Sequence, residues 1–248
     1  MYCIDNPYMD AYFNLAAEEY LLKNFPGDVF MLWQNEPSVI IGKHQNIQTE
    51  VNLDFIRGKQ IKVARRYSGG GAVYHDPGNL NLTFIETNDH PDFDKYVRQM
   101  QDFLSTVGIH ATSDERRALY IDGLKISGSA QYIRRNKVLY HATLLFSSNL
   151  ANLAATLYNK SAEMESVQPS EAWRYVKSVK SAVTNISEHL PCSFSIHDFR
   201  KIIFKHFINS NIDNINYTFS LNDTATITKL EEEKYATTDW NFHAKFLK

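Results

Sequence analysis

The sequence predicts an α+β domain, a mixed β-sheet with flanking helices. Short β-branched and aromatic runs are interspersed with helix-forming stretches, without the strict strand–helix–strand alternation of a doubly wound parallel sheet. Asn, Gly and Pro punctuate neighbouring strand runs closely enough for tight strand–turn–strand connections. A hydrophobic content of 44%, 13% aromatic, over 248 residues supplies a large core. Residues 1–248 therefore read as a single domain.

In chain order, Asn14–Asn24 (NLAAEEYLLKN) opens on a capping residue and continues in strong helix formers. Val29–Trp33 and Ser38–Gly42 are strands split by the turn Asn35-Glu36-Pro37. Leu53–Lys59 is a short helix. Ile61–Arg66 is a strand entering a glycine turn, and Ala72–His75 leaves it. Leu80–Glu86 continues the sheet. Asp92–Val107 is a helix that sets Phe93, Tyr96, Val97, Met100, Phe103 and Leu104 on one face. Ala118–Asp122, Leu124–Gln131 and Val138–Phe146 are strands, and Asn149–Tyr158 is a capped helix. Tyr158–Lys180 is polar and irregular, the pattern of a long loop beside a site. Ser195–Ile208 and Ala225–Tyr235 complete the helices.

Composition narrows function. The formal net charge is −2, which argues against a general nucleic-acid or membrane-surface binder. The arginine pairs at 65–66, 116–117 and 134–135 are local. Two cysteines, Cys3 and Cys192, give neither metal spacing nor a disulfide framework. Cys3 is expected at a frayed terminus. The opening MYCIDNPYMD has no signal-peptide pattern, and no run of about 18 apolar residues suggests a membrane span. A cytoplasmic protein is the default expectation. No G-x-x-x-x-G-K-[ST] loop, helix-opening G-x-G-x-x-G or H-E-x-x-H is present.

The most informative stretch is RRYSGGGAVYHDPGNLN, residues 65–81. Three glycines remove every Cβ from one turn, so a ligand can approach the backbone N–H groups. Arginine adds a planar fork of donors for phosphate or carboxylate. An anion lying on the turn uses all of these parts; a glycine-rich hairpin with solvated arginines is the bland alternative.

This stretch resembles the signature of the lipoate–protein ligase family. WQNEPSVIIGKHQN (33–46), DGLKISGSA (122–130), HATLL (141–145) and SVKSAVTN (178–185) match the same family in the same order. The resemblance covers about residues 10–245 and implies a biotin/lipoate–protein ligase catalytic domain. It implies ATP-dependent activation of lipoate to lipoyl-AMP, then transfer to a lysine of lipoyl-acceptor domains, as in 2-oxoacid dehydrogenase complexes or the glycine cleavage H protein. ATP and Mg2+ are the implied cofactors. Many members continue into a small C-terminal domain; the chain is expected to lack it and to act alone or with a separate accessory polypeptide.

The resemblance makes Lys125 the catalytic residue, its ammonium stabilising charge as the acyl and phosphoryl groups react; otherwise it is an ordinary strand lysine. Arg66 is placed on the carboxylate and phosphate side, and Gly70, Gly71, Ala72, Val73, Tyr74 and His75 against the adenylate. His75 could instead be a structural histidine bonded to Asp76. Trp33 and Val39 are candidates for the acyl tunnel, Trp33 being equally readable as core. His141 stands near the ligand. Asp114 lies where the family has an Asn-Asp pair, but Ser113 precedes it, so a nucleotide-side amide is missing. No metal ligand is named. The alternatives are an ATP-independent octanoyl or lipoyl transferase of the same fold, which needs a cysteine thioester, or a non-catalytic binding module.

Overall fold

The computed structural model describes residues 1–157 and 176–243. The N-terminal part comprises β1 (Tyr2–Asp5), α1 (Ala11–Asn24), β2 (Val29–Trp33), β3 (Ser38–Ile41), α2 (Ile47–Glu50), α3 (Leu53–Lys59), β4 (Lys62–Arg65), β5 (Val73–His75) and β6 (Asn79–Thr87). Then follow α4 (Asp94–Thr106), β7 (Thr112–Ser113), β8 (Leu119–Ile121), β9 (Leu124–Ser127), β10 (Ser129–Arg134), β11 (Lys137–Leu145) and α5 (Leu150–Leu157). After the undescribed segment come α6 (Ile196–Ile208), β12 (Ile215–Asn216), α7 (Leu221–Leu230), a π-helical turn (Glu231–Tyr235) and α8 (Thr238–Asn241).

The strands form one large sheet and two small ones. The six-stranded sheet has the order β10-β11-β6-β2-β1-β12, with β12, β1 and β2 mutually parallel and the rest antiparallel. In the second sheet β3 pairs in parallel with β4 and antiparallel with β5. The third, β7-β8-β9, is antiparallel. Strand alternation gives the large sheet two packed faces. Phe30, Leu82, Phe84 and Tyr140 meet Met100, Phe103 and Phe207 from α4 and α6. Met31, Trp33, Ile85 and Leu139 meet α1, Tyr235 and Trp240 on the other. Both faces being covered explains why β2 is buried throughout and reads as an unbroken apolar run.

Local signals explain most boundaries. The expected face of α4 is buried through Tyr96, Val97, Met100, Phe103 and Leu104. Ser195 caps α6, accepting from the Asp198 N–H at 3.1 Å. Some expectations need correction. Asp10, not Asn14, caps α1, accepting from the Tyr12 N–H at 2.8 Å; Asn14 is fully buried one turn inside. The helix expected from Ala225 begins at Leu221, because Ser220 and Asp223 form a capping box. The expected strand Leu124–Gln131 breaks at Gly128, where the chain passes from the third sheet into the first. Cys3 is not frayed: β1 lies between β2 and β12, and Cys3 is fully buried. The irregular stretch expected over 158–180 lies, up to residue 175, outside the described residues, as does the last residue of the helix expected over 149–158.

No helix among the described residues is long and apolar enough to cross a membrane.

Candidate active site

A cavity of about 330 Å³ opens between the α1 side of the large sheet and the two small sheets. Trp33, Asn81, His141 and Thr143 reach it from the large sheet, Ile40, Val73 and His75 from the second, and Ala118, Tyr120 and Lys125 from the third. With Ser178 and Ser181, it thus gathers residues from all five matching motifs.

The glycine turn forms one wall. Gly70 has φ +87°, a left-handed conformation that only glycine adopts freely. A Cβ on Gly42 would fall 2.1 Å from the Gly70 carbonyl oxygen, so the residue that follows β3 must be glycine for the turn to close on it. Arg66 shapes the turn from within. Its Nη2 donates to the carbonyls of Gly69 (2.5 Å) and Gly71 (2.8 Å), its Nη1 to Ile40 (3.1 Å), and its Nε to Ser68 Oγ (3.1 Å). Burial pushes its pKa down to about 10 while Glu18 opposes the shift, so the group stays charged near neutral pH. Most of the fork expected to face an anion therefore holds loop carbonyls, although the side chain still lines the cavity. Ser178 closes the turn from outside, accepting the Ala72 N–H at 2.8 Å.

Arg65 is a separate case. Its guanidinium donates to the carbonyls of Gly42 (3.0 Å), Lys43 (3.1 Å), Gln45 (2.8 Å), Trp240 (3.0 Å) and Asn241 (2.9 Å). Trp240 Nε1 donates back to the Arg65 carbonyl at 2.7 Å. This buried lock ties the segment around residue 240 to β4.

Two expected wall residues do not line the cavity with their side chains. Val39 and Tyr74 pack into a third core cluster with Ile41, Ile47 and Val63. They are register partners on adjacent strands, so strand alternation turns both away while Ile40, Val73 and His75 face inward. Tyr74 retains only its backbone for any ligand contact on that side.

Lys125 sits at the polar end. β9 is stitched to the chain that follows the undescribed residues: the Lys125 N–H donates to the Ala182 carbonyl (2.8 Å), and the Thr184 N–H to the Lys125 carbonyl (3.1 Å). The Lys125 ammonium lies near Gly128, where a Cβ would come within 3.5 Å of Nζ. Among the described residues it makes no hydrogen bond or ion pair. Burial lowers its pKa, Asp114 opposes this and Arg116 reinforces it. Asp114 closes its own turn, accepting from the N–H groups of Arg116 (3.0 Å) and Ala118 (2.9 Å) and from Tyr120 OH (2.9 Å). Burial alone would raise its carboxyl, but these bonds and the Lys125 charge hold it below the ordinary carboxylate range.

The inner end is a hydrogen-bonded floor. His141 bonds Ser68 Oγ through Nε2 and Glu18 through Nδ1, both at 2.8 Å. Thr83 Oγ1 donates to Glu18 at 2.5 Å and accepts from Trp33 Nε1 at 2.9 Å. Glu18 and Ser68 went unread in the sequence; Glu18 sits in an ordinary helix pattern that carries no mark of a buried acid. His75 does not bond Asp76. Its Nδ1 pairs with Asn35 Nδ2 at 3.1 Å, whereas Asp76 accepts from the N–H groups of Gly78 (2.9 Å) and Asn149 (2.8 Å) on the opposite side.

A family model, the lipoyl protein ligase A/B catalytic domain, matches residues 10–208. The chain belongs to this family. The Bacillus subtilis lipoate-protein ligase LplJ is 37% identical over 250 residues, covering 98% of this chain and 73% of that one. A Thermoplasma acidophilum structure with bound lipoic acid superposes with a TM-score of 0.78 at 26% identity, over 97% of this chain and 98% of that one. A lipoate-protein ligase A structure bound with ATP gives a TM-score of 0.80 at 26% identity, over 98% of both chains. For a lipoyl ligase of this family, the cysteines matter by position. Cys3 lies in the core, where burial pushes its thiol up to about 11, and Cys192 is exposed. Neither lines the cavity, so neither is placed for a thioester relay.

Proposed function

We propose that the protein activates lipoate with ATP to lipoyl-AMP and then transfers the lipoyl group to a lysine of an acceptor domain, with Lys125 as the catalytic residue. The observation that carries the reading is the Lys125 ammonium, half-buried and unpaired among the described residues, at the polar end of a cavity whose other end is closed and largely apolar. A carboxylate beside Lys125 sends its acyl chain toward Leu15, Trp33 and Ile40. Activation brings two anions together, and transfer expels AMP. A fixed ammonium in a partly desolvated site stabilises the charge developing in both steps. The glycine turn offers the N–H groups of Gly70 and Gly71 beside it, and Arg66 holds the turn in shape and adds positive potential.

ATP chemistry of this kind uses magnesium. Among the described residues no three His, Cys, Asp or Glu side chains converge to cage a metal, and Asp114 is the one carboxylate on the cavity wall. That donor set fits an ion carried mainly by phosphates and water, which takes one or two protein carboxylates. Asp114 would hold it, and the ion would neutralise phosphate charge.

Residues 1–248 act in this reading as one large catalytic domain. The acceptors are lipoyl domains of 2-oxoacid dehydrogenase complexes or the glycine cleavage H protein. The test supplies ATP, magnesium, lipoate and an isolated lipoyl domain and follows the acceptor's mass. An ATP-dependent gain of one lipoyl group supports the proposal. Acylation that needs no ATP and draws on an acylated carrier protein overturns it. Running the chain alone and with an accessory polypeptide shows whether a companion is required.

A further inference from the structure

The closed end of the cavity is not uniformly apolar. Leu15, Trp33, Ile40, His75 and Asn81 all line it and are each at most 3% exposed. Asn81 is the register partner of Trp33, and the His75 ring stands edge-on to Trp33, with centroids 5.9 Å apart. Two nitrogens in this wall, His75 Nε2 and Asn81 Nδ2, are buried without a hydrogen-bond partner among the described residues. Buried polar atoms are nearly always paired, so such orphans beside a cavity point to a ligand.

The hydrogen-bond network fixes what His75 offers. The backbone carbonyls of Tyr8 and Gln34 can only accept, and both accept from Asn14 Nδ2, at 3.0 and 2.8 Å. Asn14 Oδ1 is taken by Asn6 Nδ2 at 2.8 Å. Asn14 is therefore oriented, and its Nδ2 also meets Asn35 Oδ1 at 2.8 Å. That turns Asn35 Nδ2 toward His75 Nδ1, which must accept. Burial, with the charges of Arg66 and His141, pushes the His75 pKa down to about 3, so the ring is neutral. Its one proton then sits on Nε2, and His75 is a donor at the acyl end.

We infer that the Asn14–Asn35 amide relay sets His75 as a specificity-determining donor, which reads the far end of the acyl chain and favours a sulfur-bearing 1,2-dithiolane over a plain alkyl end. The inference rests on the lipoate-activating reading above. A dithiolane sulfur is a weak acceptor, and the methyl end of octanoate is none. With octanoate bound, the Nε2–H stays buried and unpartnered, and a site built to donate a hydrogen bond discriminates against the analogue lacking the acceptor.

The experiment measures kcat/KM for lipoate and for octanoate, by ATP-dependent pyrophosphate release, in the wild type, His75→Phe and Asn35→Leu. The imidazole 15N spectra of the wild type and of Asn35→Leu are recorded alongside. The wild type should prefer lipoate, and His75→Phe should reduce the lipoate-to-octanoate ratio by about tenfold. Asn35→Leu, which keeps His75 but removes the group that orients it, should give a smaller fall and move the His75 nitrogen signals. The wild-type spectrum should place the proton on Nε2. A ratio unchanged in His75→Phe, an equal loss on both acids, or a proton on Nδ1 overturns the inference and leaves lipoate activation standing. Absence of adenylate formation from either acid by the wild type would overturn the proposed function itself.

Discussion

At the scale of single residues, the proposed chemistry depends on the charge of Lys125. Lys125→Ala should slow lipoyl-adenylate formation by about 10²–10³, the usual cost of removing a charge-stabilising donor, while the circular dichroism spectrum stays native. Near-normal pyrophosphate release by the folded variant would refute its role. The pH dependence has a definite sign. Burial lowers the Lys125 pKa and Asp114 raises it, so activity should fall as pH rises through that lowered value. Asp114→Asn removes the opposing charge and should move the alkaline limb of the kcat/KM profile to lower pH. The residue types were legible in the motifs; Lys125, His75, His141, Gly70 and Gly71 all line one cavity, with His75, expected against the adenylate, beside Trp33 instead. Val39, expected in the acyl tunnel, and the Tyr74 side chain turn away from the cavity because strand alternation decides which neighbour faces inward, and the motif carries no phase. The doublet Arg65-Arg66 hid two different residues, since identical side chains on adjacent strand positions point to opposite faces: Arg65 fastens the fold and Arg66 shapes the turn.

At the scale of elements, the glycine turn depends on β3 ending where it does. Gly42→Ala places a Cβ 2.1 Å from the Gly70 carbonyl oxygen, a contact that only a backbone shift relieves. The expected cost is about 1–3 kcal/mol, as for other overpacked sites, with a larger loss in adenylation because the shifted backbone belongs to the ligand-facing turn. Thermal melts and the KM for ATP check both parts; an unchanged KM would show that the turn tolerates the displacement. Elements with sharp local boundaries, such as α3 and β2, could be read from sequence to the residue. The start of α1 and of α7 could not. Asn14 has the chemistry of a cap but is consumed by a buried amide network, and the Ser220–Asp223 box opens α7 four residues before the position expected from the helix-forming run. The break at Gly128 was invisible because both halves of Leu124–Gln131 favour extended structure; only the change of sheet separates them.

At the scale of the whole molecule, distant segments are joined by polar locks. Asp223 of α7 accepts hydrogen bonds from Tyr20 of α1 and from Tyr217, the latter at 2.6 Å. Burial alone would raise its carboxyl, but the bonds from Tyr20, Tyr217 and Ser220 hold it at about 2 against an ordinary 3.8. A carboxyl depressed by folding contributes stability that is present above its ordinary pKa and lost as pH falls toward the folded value. Asp223 should therefore contribute about 2 kcal/mol near neutral pH, fading between about pH 4 and pH 2. Asp223→Asn should be less stable by that amount at pH 7 and show a flatter acid limb in denaturant titrations; a parallel acid limb would deny Asp223 the role. The Tyr20–Asp223 and Arg65–Trp240 locks were illegible in the sequence because their partners lie 203 and 175 positions apart. In the proposed reaction the cavity couples ATP to a free fatty acid without an enzyme thiol. Isotopic ATP–pyrophosphate exchange with no acceptor present tests it most directly. Exchange should appear on adding lipoate and vanish without it; absence of lipoate-dependent exchange, in a protein that transfers acyl groups from a carrier without ATP, would rule out activation by ATP.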